Sequence, residues 1–465
     1  MSYFSIHNHS EFSNIRLLDS INKVSTLFSR AQEAGLKGFA LTDHEVLSGH
    51  VQMVQQYKKL KAANQLSEDF KIALGDEIYM IDDLEDYQKN YTSATHQYYH
   101  FILLAKDALG YEALKEISST AWNNSYTQRG VQRTPITKKQ ITDIMSRYKG
   151  HIIGSTACLG GELSRGIIQW IKAEEEIDEK GIKAAKTKID NFINYSLMTF
   201  GNDNFFIEIQ PSHNREQIQV NLRLMMLAEI YGVRVIYSTD SHYPSKEKRI
   251  IHKSYLNAMN GEREVDDFYA SAYMMDEEEV YEYFDSYISR VDFDRFTQNS
   301  IELMNMCEFY ELEQAQIIPT VEVEDYPSVI ITEYKEKYLY ITNMLSSEDL
   351  QNRYWANECL HALKKKNLIN DIYLQRLDDE AKELWLISEK LGITMTQYYN
   401  TMKKIIEIVW DAGDSLIGPA RGSATGFLSC YLLGITQMDP IIWNLPYWRH
   451  LTSTRPELPK LYWAV

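Results

Sequence analysis

Residues 3–9 read YFSIHNH, a short apolar and aromatic run that closes on two histidines two positions apart. On a β-strand side chains alternate between faces, so His7 and His9 point the same way. The pattern recurs in GFALTDH (38–44), KIALGDEIY (71–79), HFILLAK (100–106), GHIIGSTACL (150–159), NFFIEIQ (204–210) and RVIYSTDSHY (234–243). Stretches of helical periodicity, such as 24–34, 182–199 and 215–231, separate the runs. Strands alternating with helices argue an α/β fold with a parallel sheet, either a barrel or a doubly wound layer. The polar clusters choose between them. Most runs carry His, Asp, Glu or Cys near the carboxyl end, where barrel enzymes build their sites. Asp240 and His242 repeat the spacing of His7 and His9, and the two pairs become neighbours only if the first and last strands meet. A closed barrel is therefore predicted.

The composition agrees with a folded, multi-domain chain. Its 465 residues are 44% hydrophobic and 12% aromatic, enough for two or three cores. The net charge of −17 argues against a module whose main task is to coat nucleic acid, though not against DNA as a substrate. Four cysteines (Cys158, Cys307, Cys359 and Cys430) with no CxxC pair form neither a disulfide framework nor a zinc ribbon, and three of them read as small buried hydrophobes. The start MSYFSIHNHSEF lacks a basic leader and an apolar core, and no run of about 18 apolar residues follows, so a cytoplasmic protein without membrane contact is expected.

A lone histidine at a strand end is an ordinary sight. Five His, two Asp, one Glu and one Cys at equivalent places in successive units are not, and they predict a multinuclear metal site. Neutral imidazoles suit Zn, Mn and Fe, while carboxylates bridge cations and offset their charge. Cations a few ångströms apart activate water and clamp the oxygens of an in-line displacement, which makes phosphoester hydrolysis the natural chemistry.

These runs resemble the PHP (polymerase and histidinol phosphatase) family, specifically the PHP domain that opens bacterial DNA polymerase III alpha subunits. The resemblance implies a distorted seven-unit β/α barrel and a centre of up to three metals. It places the nine ligands at His7 and His9 (HNHSEFS), Asp19 (RLLDS), His44 (LTDHE), Glu77 (GDEIY), His100 (YYHFILLAK), Cys158 (ACLGGE), and Asp240 and His242 (STDSHY). Compared with the family's spacing, this chain carries about three additional residues, NIR, ahead of Asp19. Asp43 reads as a support for its neighbours rather than a ligand, and Glu208 and His213 are further candidates at the same mouth.

After Ser245 the text changes. MMDEEEVYEYF reads as a solvated helix start, Ile301, Met304 and Met306 suit a helical hairpin packed on the barrel, and IIPTVEVEDYP reads as an extended linker closed by Pro327. Residues 333–412 are strongly helical, with a basic set (Arg353, Lys364 to Lys366, Lys403, Lys404) that could follow a phosphate backbone. Then comes SLIGPARGSATGF (415–427), whose glycines let backbone approach a triphosphate while N–H groups of the turn and helix start, and Arg421, face anionic oxygens. The stretch GPARGSATGFLSCYLLGITQMDP resembles the palm of the polymerase III alpha subunit. That resemblance implies that Arg421, Gly422 and Ser423 contact the phosphates of an incoming nucleotide.

The predicted organisation is a PHP metal-binding barrel (1–245), a helical and linker extension (246–332), and a partial polymerase β-like palm and thumb region (333–465) ending before the catalytic aspartates. The family places those aspartates in a PDIDID segment, whereas this chain continues as RPELPKLYWAV, so the chain by itself is expected not to polymerise DNA. The resemblance implies the amino-terminal portion of a replicative polymerase acting on DNA. Its partners would be a second polypeptide with the remaining palm and, through it, a sliding clamp and other replisome proteins. Mg would serve polymerisation only once those aspartates are supplied. The alternatives are a stand-alone metal-dependent phosphoesterase or exonuclease, and a structural metal-binding module of a split polymerase.

Overall fold

All seven apolar runs become strands. In the computed structural model, which describes residues 2–455 apart from 93–94, 129, 259–267, 315–316, 326–335 and 414, ten strands are formed. They are β1 (Phe4–Ser5), β2 (Gly38–Leu41), β3 (Lys71–Ile81), β4 (Tyr99–Ala105), β5 (Tyr126–Gln128), β6 (Val131–Arg133), β7 (Pro135–Thr137), β8 (Ile152–Ser155), β9 (Phe205–Ile209) and β10 (Arg234–Tyr237). The main sheet runs β1-β2-β3-β4-β8-β9-β10, and β7 pairs alongside β3.

The wall closes just past the strand ends. Asn8 and Ser241 form a parallel bridge, with His9 N donating to Ser241 O at 2.9 Å and Ser241 N to His7 O at 3.1 Å. Ser20 Oγ donates to the carbonyls of His9 and His242, and Asn22 Nδ2 to those of His9 and Ser241. The first and last runs thus meet, as the closed barrel requires.

One strand departs from the predicted parallel order. β4 is antiparallel to both its neighbours, β3 and β8, while β1–β2, β2–β3, β8–β9 and β9–β10 are parallel. The reversal explains why His100 stands at the beginning of its run when the other candidates stand at or near the end. The β5–β6 hairpin and β7 were not legible in the sequence, because each strand is three residues long, too short to show a period.

Period-two alternation builds the barrel interior. Phe4, Ile6, Ala40, Ala73, Ile102, Leu104, Ile153, Phe206 and Ile236 form one buried cluster, joined by Leu303, Met304 and Cys307 from the end of helix Arg290–Asn305. The positions two or four further along the same inward faces are His44, Glu77, His100, Glu208 and Asp240. β2, β3, β4, β9 and β10 therefore contribute apolar side chains to one end of the barrel and titratable ones to the other. The second cluster lies between strands and outer helices and includes Leu27, Phe28, Phe39, Phe101, Phe192 and Leu224. Each such side chain contributes about 1.5–3 kcal/mol on burial.

Helix Arg215–Tyr231 has the predicted ends and stops at Gly232 in the left-handed region. The predicted helical hairpin is present as Glu277–Phe284 and Arg290–Asn305, the first opened by a reciprocal capping box between Asp276 and Glu279.

The chain divides into two compact units, Met1–Gln314 and Ala315–Val465. The second is built from helices Leu339–Leu345, Leu350–Lys365, Asp371–Leu391, Thr396–Asp411 and Leu428–Leu432 around Trp355, Leu360, Leu377, Leu384, Tyr399 and Phe427. Its described residues contain no strand; where a palm was predicted to begin they form helices and turns. Pro327 and the stretch PELPKLYWAV after Arg455 lie outside the described residues. No helix of the described residues is long and apolar enough to cross a membrane.

Candidate metal centre and phosphate loop

Eight of the nine predicted ligands fall into three groups whose donor atoms lie within 4.8 Å of one another: His9, His44 and His242; His7, His9 and Asp240; Glu77, His100 and Cys158. The ninth, Asp19, joins through Oδ2, which lies 2.9 Å from His44 Nε2 and 3.3 Å from His242 Nε2. A short 3-10 turn, Glu11–Ile15, precedes Asp19, which reaches the cluster. Glu77 stands at the centre. Its Oε1 lies 2.7 Å from His100 Nδ1 and 3.4 Å from His7 Nε2, and its Oε2 touches His44 and lies 3.7 Å from His9 Nε2.

Around this ring a set of side chains aims the imidazoles. Glu208 Oε1 accepts from His7 Nδ1 at 2.9 Å and from Gln210 Nε2 at 2.9 Å, turning His7 Nε2 toward Glu77 and Asp240. His9 Nδ1 lies 3.0 Å from Ser13 Oγ, which donates to Asp43 Oδ1 at 2.7 Å; Asp43 also accepts from Ser10 N and Oγ. Asp43 is thus a support for the loop that carries His9, and burial raises its carboxyl. His252 Nε2 donates to Asp19 O at 2.6 Å and fixes that loop from behind. Sequence reasoning missed His252, Ser13, Ser20 and Asn22, whose polar contacts follow no period. His213 is not in the cluster: it is exposed and stacks on Tyr283 with ring centroids 4.3 Å apart.

Backbone geometry is unusual at the same end of the barrel. Asp240 itself, Glu45 beside His44 and Ala157 beside Cys158 have φ between +49° and +58°. L-residues adopt that region at a cost, and such strain gathers at functional sites. Gly160 is needed for space, since a Cβ there would stand 2.9 Å from the His100 ring.

The electrostatics are those of a cluster arranged for cations. Burial pushes Asp19, Glu77 and Asp240 up, but the surrounding imidazoles outweigh it and hold all three below the usual carboxylate range. Burial pulls His7, His44 and His242 down, and the facing carboxylates raise them despite it. His9 is lowered to about 3 by burial and by His44 and His242, whose rings lie 4.1 and 4.4 Å away, so it presents a neutral imidazole. Burial, Asp240 and Glu77 push the Cys158 thiol up, so a thiolate there needs a cation beside it.

The decisive feature is what the buried atoms lack. His7 Nε2, His44 Nδ1, Asp19 Oδ1 and Glu77 Oε2 have no hydrogen-bond partner. Buried polar atoms in proteins are usually paired, and other buried atoms here also lack a partner, among them both Asp76 oxygens and Trp355 Nε1, so what sets these four apart is that they converge on one place. These four lie among carboxylates and imidazoles without hydrogen-bonding geometry, the arrangement of lone pairs converging on an ion. The donor set of His, carboxylate and Cys fits divalent metals.

In the second unit the loop 415–427 is held from behind. Glu380, buried on helix Asp371–Leu391, accepts from Leu428 N at 2.6 Å and Ser429 N at 2.9 Å. Arg376 bonds Glu380 and donates to the carbonyls of Gly426 and Leu445. The helix start predicted to face a phosphate is therefore satisfied by a carboxylate of the protein. What faces outward is the turn itself: Arg421, Gly422 and Ser423 are exposed, and Gly422 has φ +72°, which favours glycine. The predicted basic strip is partly neutralised, with Arg353 bound to Asp325 and Lys403 beside Glu358 and Glu407. Cys307, Cys359 and Cys430 are buried and unbridged.

Comparison with known proteins agrees with this division. Residues 5–212 match the family described as PHP domain, and residues 340–461 match the family described as bacterial DNA polymerase III alpha NTPase domain. Over 98% of its length the chain is 40% identical to the probable DNA polymerase YorL of Bacillus subtilis strain 168, and equally to the DNA-directed DNA polymerase of Bacillus phage SPbeta. It is 27% identical, again over 98% of its length, to DNA polymerase III subunit alpha of Borreliella burgdorferi. The chain spans about a third of these relatives, 36% of the first two and 34% of the third.

Proposed function

We propose, for a chain that carries a PHP domain followed by a bacterial DNA polymerase III alpha NTPase domain, that it works as the amino-terminal portion of a replicative polymerase. Its barrel is a metal-dependent phosphoesterase acting on DNA ends in the manner of a 3′–5′ exonuclease. The observation that carries this reading is the convergence of buried imidazole and carboxylate atoms of His7, His44, Asp19 and Glu77, facing one another without hydrogen-bonding geometry at one mouth. The ligands are His7, His9, Asp19, His44, Glu77, His100, Cys158, Asp240 and His242, in three groups that suit up to three cations of the Zn, Mn or Fe type. Bound cations supply the charge that activates water and steadies the oxygens of a phosphoester under attack.

The chain's own residues do the rest. Glu208 keeps the His7 proton on Nδ1, leaving Nε2 as the ligand atom. Ser13 and Asp43 orient His9, and His252 holds the Asp19 loop. In the second unit Arg421, Gly422 and Ser423 receive the phosphates of a nucleotide. Polymerisation itself, its Mg ions, a second polypeptide and a sliding clamp belong to the whole polymerase.

Hydrolysis of a 3′-labelled single-stranded DNA by the purified chain with added Mn or Zn tests the barrel reading. Release of mononucleotides that His9→Ala and Asp240→Ala each lower by at least about 100-fold is the expected result. Release unaffected by either substitution contradicts it. A second reading, that the barrel acts independently of polymerisation, is favoured by one observation: every ligand lies within the compact unit Met1–Gln314.

A further inference from the structure

Ser423 is exposed at the turn of the loop, yet its Oγ lies 3.2 Å from Nδ1 of His450, at the end of the 3-10 turn Tyr447–Arg449. The His450 ring is wedged edge-on against Phe427 (centroids 5.0 Å apart, planes at 67°) and Tyr399 (6.1 Å, 77°). Its other nitrogen, Nε2, is buried with no hydrogen-bond partner. Burial lowers His450 to about 4, so near neutral pH the ring is uncharged.

A neutral imidazole has one N–H and one lone pair. For buried backbone groups an orphaned N–H is rarer than an under-satisfied acceptor, and the same desolvation cost applies to a ring N–H. With Nε2 unpartnered, the tautomer that carries its proton on Nδ1 is the one in which that proton has an acceptor, Ser423 Oγ. That direction matters. With its oxygen already accepting from His450, the Ser423 hydroxyl keeps its own proton for an outside acceptor. In the opposite tautomer the serine would give its proton to the ring and present only lone pairs to an anion.

Resting on the reading of residues 421–423 as a phosphate loop, we propose that His450 is a positioning residue whose Nδ1–H holds Ser423 so that the hydroxyl donates to a nucleotide phosphate oxygen. His450 acts through Ser423, and Phe427 and Tyr399 fix its ring plane.

The test uses the full chain, with calorimetric titration of magnesium-bound deoxynucleoside triphosphate and of inorganic tripolyphosphate. Nitrogen-15 NMR of the unsubstituted chain is recorded alongside. His450→Phe and Ser423→Ala are each expected to raise Kd by about 5-fold, the value of one neutral hydrogen bond. The double variant should be no weaker than either single one, and His450→Asn, which places an N–H near Nδ1, should restore most of the affinity. NMR should show the proton on Nδ1. A proton on Nε2 overturns the proposal in the intact protein, whatever the folding of the variants. Binding by His450→Phe equal to the unsubstituted chain, while Arg421→Ala is defective, overturns the role of His450 and leaves the loop reading standing. No binding of either probe by the unsubstituted chain overturns the loop reading and the proposal with it.

Discussion

Glu208 and His7 show how one contact decides what an imidazole can do. The bond from His7 Nδ1 to Glu208 Oε1, 2.9 Å and fully buried, fixes the tautomer and leaves Nε2 pointing at Glu77 and Asp240. Such supporting carboxylates orient metal-binding imidazoles and raise their basicity. Glu208→Ala is expected to weaken cation binding by about 10- to 100-fold while leaving the barrel folded, as read by titration with Zn or Mn. Unchanged affinity would show that His7 is held by its strand alone. At this scale most of the site was legible, because its residue types are rare in strand ends and recur in successive units. What was not legible is the support. Ser13, Asn22 and His252 act through hydrogen bonds to residues distant in the chain, and nothing in their spacing distinguishes them from ordinary polar residues.

Strands and helices divide the labour differently in the two units. In the barrel, an inward face that changes from Ala73 to Glu77, or from Leu104 back to His100, separates core from chemistry along one strand. The apolar runs made the strands readable, but the reversal of β4 was not, since alternation is the same in either direction. In the second unit, helix Asp371–Leu391 holds the loop through Arg376 and Glu380. Sequence reading assigned the helix start at Leu428 to an outside anion; a carboxylate 48 positions earlier in the chain takes it instead, a contact that no local pattern reveals. Glu380 is fully buried, and removing it leaves the N–H groups of Leu428 and Ser429 without their acceptor and the Arg376 charge without its carboxylate. Glu380→Ala is expected to destabilise this unit by about 3 kcal/mol, seen as an earlier transition in its denaturation while the barrel transition stays in place. Coincident, unshifted transitions would contradict the clamp.

For the whole molecule, acidity sets a limit on the barrel that is independent of its ligands. His50 is buried, donates from Nε2 to Gly75 O at 2.9 Å, and is lowered to about 4 by burial. Its unfolded value is near 6.5, so the unfolded chain takes up the proton first. The stability from keeping His50 neutral is complete above about pH 6.5, declines as the pH falls toward 4, and is gone below; it amounts to roughly 3 kcal/mol. Denaturation measured between pH 4 and 7 is expected to show about one fewer proton taken up on unfolding by His50→Gln than by the unsubstituted chain. An identical pH slope in the two would contradict it. The central claim is that nine converging side chains hold divalent cations for phosphoester chemistry. It is tested most directly by elemental analysis of the purified, dialysed chain after exposure to Zn, Mn and Fe. Two to three cations per chain, falling by at least one in His9→Ala and in Asp240→Ala with the fold retained, is the expected result. Fewer than one cation per chain under all three metals would contradict the account.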